Sequence, residues 1–98
     1  MFIVHLTFSA QKSRARELMS EHEAWIARGF QAGIFALVGS LEPRRGGVVV
    51  AHGIGRDELD RTLAEDPFVA HGVVEAEVFE VTPAKTDPRL AFMVSMVS

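Results

Sequence analysis

Apolar and polar residues alternate at the start of the chain. Phe2, Val4, Leu6 and Phe8 hold one parity; Ile3, His5 and Thr7 hold the other. Period two predicts a strand with one strongly apolar face and one mixed face. The period then changes. Ala15, Leu18, Met19, His22, Trp25, Ile26 and Phe30 recur at intervals of three, one, three, three, one and four, the stripe of an amphipathic helix. Arg14, Glu17, Glu21 and Arg28 fall on the opposite side. Ser9 or Ser13 supplies a cap, and the helix runs to about Gln31, with Gly33 as its stop. Gly29 weakens the last turn slightly.

Ile34 to Leu41 reads as a second strand. It is apolar at both parities, so both faces need cover. Glu42-Pro43-Arg44-Arg45-Gly46-Gly47 is turn chemistry, and Val48 to Ala51 is a third strand that closes a hairpin with the second. Gly53 and Gly55 follow. Arg56 to Glu65 predicts a short helix with Asp57 as N-cap or first-turn carboxylate, Leu59 and Leu63 as its core contacts, and Pro67 ending it. Val73 to Val81 is the fourth strand. The tail from Thr82 to Ser98 carries Pro83, Pro88 and an apolar run, Leu90 to Val94.

This order is βαββαβ, the ferredoxin-like α+β arrangement of a four-stranded antiparallel sheet with two helices on one face. The second sheet face has no cover within one subunit, although strands two and three are apolar on both faces. A second copy packed sheet to sheet supplies that cover, so a homodimer or higher oligomer is expected. One domain spans 1–98: a core over 1–82, and a tail over 83–98 that packs on its own or a neighbouring subunit.

Composition narrows the function classes. The chain has 98 residues, 48% hydrophobic and 23% charged, with net charge −3. Arg44-Arg45 is the only tight basic pair, too little to neutralise a phosphate backbone or hold a membrane surface, so neither nucleic acid nor membrane is an expected partner. The absence of cysteine excludes disulfides and Cys-ligated metals and fits a reducing compartment. The first residues lack the basic region and apolar core of a signal peptide. No apolar run approaches the ~20 residues of a membrane span. A cytoplasmic protein is expected.

His22 is the sharpest chemical feature. It falls mid-stripe among Leu18, Met19, Trp25 and Ile26 and should face the sheet, where an imidazole needs a hydrogen-bond partner. Two readings are open to it: a satisfied core histidine that braces the helix, or an acid–base group, since small shifts move histidine charge within the physiological range. Asp66, at the end of the second helix in Asp66-Pro67-Phe68, is the best carboxylate partner. The fold lays both helices side by side on one face. Asp66 is equally open to being a solvated turn residue before proline.

These residues carry a resemblance. The chain resembles the YciI-like (YCII-related) family of dimeric α+β-barrel proteins. The matching pieces are His22, the segment Gly33 to Ser40, the hairpin glycines Gly46 and Gly47, and Asp66-Pro67-Phe68-Val69-Ala70-His71-Gly72, which looks like that family's DPF…G signature. They span residues 1 to about 82. The resemblance implies subunits paired through their sheets, and a His and Asp at a cleft, falling on His22 and Asp66. Most such proteins have no assigned reaction; one relative dehydrochlorinates a chlorinated hydroxyhydroquinone. Similar folds include muconolactone isomerase and cofactor-free monooxygenases. Gly39-Ser40 departs from the family's frequent Gly-Pro, and the tail is longer.

Around that pair, Ser40 offers a hydroxyl, Trp25 and Phe68 offer aromatic walls or core, and His71 is a loop residue near the mouth; these four are the candidate substrate contacts. His5 and His52 lie on adjacent strands, but no third ligand has motif spacing, and His22-Glu23-Ala24-Trp25-Ile26 does not complete HExxH. No metal and no cofactor is expected. Gly53-Ile54-Gly55 is too short for a dinucleotide fingerprint. The leading function is therefore a cofactor-free enzyme using a His22–Asp66 acid–base pair on a cyclic or aromatic-derived small molecule, in lyase, isomerase or dehydrochlorinase chemistry. The alternative is a non-catalytic module for ligand binding or assembly.

Overall fold

The computed structural model describes residues 1–94. Residues 95–98 of the expected tail lie outside the described residues. Strand β1 (Phe2–Phe8) is followed by a 3-10 turn at Lys12–Arg14 and helix α1 (Ala15–Gln31). Strands β2 (Phe35–Leu41) and β3 (Gly46–Ala51) form the hairpin. Helices α2 (Arg56–Ala64) and α3 (Pro67–Ala70) lead to β4 (Val74–Glu80). The four strands make one antiparallel sheet in the order β2-β3-β1-β4. This is the ferredoxin-like α+β fold.

The period-two pattern of β1 decides which sheet face meets the helices. Phe2, Val4 and Leu6 are buried, and their partners Ala51 and Val49 on β3 are buried beside them. Leu18 and Trp25 of α1, Leu59 and Leu63 of α2, and Phe68 of α3 close this core from above. The Trp25 indole N–H donates to the carbonyl of Thr62 at 2.9 Å, tying α1 to α2. Gly29 has a packing reason. A side chain there would run into the Phe35 ring, so glycine lets α1 settle on β2.

One local expectation changes, one is decided between its alternatives, and one gains a cause. Neither Ser9 nor Ser13 caps α1, which follows directly from the 3-10 turn with no side-chain cap. Ser9 instead accepts from the Gln11 N–H and donates to the Gly72 carbonyl, joining the end of β1 to the start of β4. Gly55 is the N-cap of α2, and Asp57 lies in its first turn. In β2 the register shifts between Phe35 and Leu37, leaving Ala36 as an extra residue. That bulge turns Phe35, Val38 and Ser40 toward the helices and Leu37 away from them. Apolarity at both parities in β2 is in part this change of phase.

The far sheet face carries Ile3, Val48, Val50, Leu37 and Phe79, with Leu37 51% and Phe79 42% exposed. The ring of His5 lies 5.0 Å from that of Phe79. The tail turns back on its own subunit. Pro88–Met93 forms 3-10 turns, Met93 is buried, and Phe92 sets its edge against His52 at 5.0 Å. Among the described residues, no helix is long and apolar enough to cross a membrane.

Candidate functional site

Asp66-Pro67-Phe68 is a helix start. Asp66 has extended backbone, Pro67 occupies the first helical position where its missing N–H costs nothing, and the Asp66 carboxylate accepts from the Phe68 N–H at 3.0 Å. Sequence reading puts Asp66 at the end of the second helix, as a partner for His22 or a turn residue before proline, yet Asp followed by Pro at N1 is itself a start signal. The cap fixes the Asp66 side chain, which is fully buried. The same oxygen, Oδ1, lies 2.7 Å from Nδ1 of His22.

His22 sits on the inward stripe of α1, with its side chain 14% exposed. Its ring lies parallel to that of Phe68, centroids 3.9 Å apart and planes 2° apart. Trp25 stacks more distantly at 5.8 Å. Phe68 therefore locks the plane of the imidazole, and Asp66 locks its rotation. A carboxylate can only accept, so Nδ1–H donates to it, and the neutral imidazole of that tautomer carries its lone pair on Nε2. Asp66 Oδ2 is buried with no partner among the described residues.

Beside His22 lies a cavity of about 310 Å³ between α1 and the sheet. From α1 it is lined by Met19, His22, Glu23 and Ile26; from the sheet by Leu6, Phe8, Val38, Ser40, Gly47 and Val74; and from α3 by Phe68. The sheet supplies the room. Ser40 pairs with Gly47, Gly47 with Leu6, and Leu6 with Ala76, so one row under α1 carries three small residues. The next row, Val38, Val49, Val4 and Val78, is filled with valine.

The structure thus brings together His22, Asp66, Phe68 and Ser40. It separates the other two candidates. Trp25 is buried 2% exposed on the flank of α1 that faces α2, with its N–H committed to Thr62, and does not line the cavity. His71 follows α3 as its exposed C-cap residue, before Gly72 with φ 69°, and lies outside the lining. Met19, Glu23 and Phe8 line it without having been singled out. The first two flank His22 at i−3 and i+1, so helical geometry alone could have placed Met19 there. Among the described residues, no group of three or more His, Asp or Glu is placed to hold a metal ion.

No protein-family model matches the chain, and no curated protein matches it. Among solved structures, the chain is similar to the 5-chloro-2-hydroxyhydroquinone dehydrochlorinase of Burkholderia phenoliruptrix, in complex with 2,5-dihydroxybenzoquinone. The TM-score is 0.70 over 83% of this chain and 92% of that one, at 13% identity. At that identity the likeness speaks to the fold alone, the four-stranded antiparallel sheet with helices on one face.

Proposed function

We propose that the cavity is a small-molecule active site in which His22, oriented by Asp66, moves a proton on a cyclic or aromatic-derived substrate. The observation that carries this reading is the 2.7 Å contact between a fully buried carboxylate and an imidazole that lines a cavity. The bond to Asp66 sets the tautomer and stabilises the imidazolium that forms when Nε2 takes a proton. Abstraction next to a carbonyl or enol leaves the electron pair in the ring system. In a chlorinated substrate that pair expels chloride from the adjacent carbon; in an isomerisation His22 returns the proton elsewhere. Ser40 contributes a hydroxyl for a substrate oxygen, and Phe68 backs the imidazole. The fold shared with a dehydrochlorinase supports chemistry of this class.

The same reading places the chain among YciI-like proteins of the cytoplasm and assigns the apolar far face to a homodimer. Chloride release from chlorinated hydroquinones and C–H exchange into deuterated buffer from cyclic enols are the assays. His22→Ala is expected to lower turnover by about a hundred- to ten-thousand-fold. A variant that turns over at the wild-type rate refutes the reading. One observation favours the non-catalytic alternative. Asp66 Oδ1 also caps α3, so the His22 bond doubles as a brace between α1 and α3. In that case His22→Ala alters stability or ligand affinity, and no substrate is turned over.

A further inference from the structure

We propose that this cavity takes a single-ring organic anion and that Lys12 is the specificity-determining residue that reads its charge. The proposal rests on the reading of the cavity as a substrate site and adds what that substrate carries.

Size comes first. A cavity of about 150 Å³ holds benzene, so about 310 Å³ holds one ring with a few substituents, at the small end of ligand pockets. Charge comes from the end of the cavity walled by Phe8. The Lys12 ammonium lies over the Phe8 ring, 5.2 Å from its centroid. Phe8 N–H donates to the Arg45 carbonyl at 2.8 Å, so the Arg44-Arg45 tip of the hairpin meets the same end. Gly46 and Gly47, which follow it, line the cavity.

Arg14, Arg56 and Arg89 each pair with a carboxylate. Among the described residues, Lys12, Arg44 and Arg45 have no carboxylate within 4.0 Å, and neither do Arg16, Arg28, Arg61 and Lys85. What sets Lys12 apart is its place: outside the lining itself, its ammonium lies over a ring that walls the cavity, on a residue whose backbone is bonded to the Arg44-Arg45 hairpin tip. Low-dielectric walls focus such a field on an entering anion. An ammonium resting on a ring face keeps its N–H donors for a ligand. Glu23, the one carboxylate in the lining, sits more than two turns into α1. The charged atom of the ligand therefore goes to the Phe8 end, which leaves the rest of the ring toward His22.

The test uses the full chain and isothermal titration calorimetry with two probes. One is 2,5-dihydroxybenzoquinone, a vinylogous acid ionised at neutral pH. The other is hydroquinone, which is neutral there. Wild type should bind the anion more tightly. Lys12→Met keeps the stem on Phe8 and removes the charge; it should weaken the anion roughly fivefold at low salt, an effect that fades as salt rises, and leave hydroquinone unchanged. Lys12→Arg should restore the anion. Equal effects on both probes, no effect on either, preference of the wild type for hydroquinone, or no binding of the anion at millimolar concentration overturns the proposal. Should Lys12→Met do nothing while His22→Ala still abolishes turnover, the charge reading falls and the active-site reading stands.

Discussion

Removing the Asp66 carboxylate breaks two bonds made by one oxygen, and the two can be separated. In Asp66→Ala, the Phe68 N–H loses its cap acceptor, a change that typically costs about 1 kcal/mol. His22 loses its partner in a largely buried setting; a hydrogen bond to a charged group contributes about 1.5–3 kcal/mol. The sum is roughly 2.5–4 kcal/mol, or about 10–30 °C in Tm for a domain near 100 residues. His22→Ala loses the shared bond and the stack on Phe68, but leaves the cap intact. Adding the two single effects counts the shared bond twice. The double variant should therefore fall short of additivity by about 1.5–3 kcal/mol. Urea unfolding followed through the single tryptophan, Trp25, buried 5.8 Å from the His22 ring, reads all four proteins. Protein concentration must be held fixed, because self-association would add to stability. Effects that add to within about 0.5 kcal/mol would refute the coupling and reduce Asp66 to a helix cap.

Four further outcomes are expected. Gly29→Ala forces a methyl against the Phe35 ring and should cost about 1–3 kcal/mol, read as a lower urea midpoint. Gly47 has no left-handed backbone, but an added Cβ there meets the Gly39 backbone carbonyl at a tight 3.3 Å; Gly47→Val should fill the cavity and abolish probe binding in calorimetry, with a urea midpoint lowered by that contact. Leu37→Glu places a charge on the apolar far face and should convert the assembly to monomer in sedimentation velocity; an unchanged species refutes the sheet-to-sheet dimer. Its hydrogen bonds from Arg89 hold the Asp87 carboxyl below its ordinary value. The stabilisation this gives the tail turn is present above the usual carboxylate range and disappears as pH falls through the lowered value, seen as a shift of the Arg89 amide resonance by NMR.

What the sequence reveals depends on what kind of signal a feature leaves. Strand β1 is legible to the residue because alternation over Phe2–Phe8 is the burial pattern itself. The approach of Asp66 to His22 follows from topology, since βαββαβ order lays the helices side by side. Trp25 misleads because it shares the apolar stripe with His22, while the neighbour it meets is α2 rather than the cavity. The bulge at Ala36 leaves no mark in composition, and it reverses which residues of β2 face the helices. Least legible is the cavity. It is made by missing atoms at Ser40, Gly46 and Gly47, and hydropathy patterns register what is apolar, not what is small.

That last feature divides the labour of the fold between separate stretches of chain. The His22–Asp66 pair and its backing ring come from α1 and the start of α3, whereas much of the cavity's room is set by the β2–β3 hairpin. The hairpin can therefore behave as an exchangeable cassette. Replacing it would re-cut the pocket for a differently shaped molecule while the histidine and its carboxylate keep their alignment, which makes this short segment the natural target for redirecting the scaffold in the laboratory.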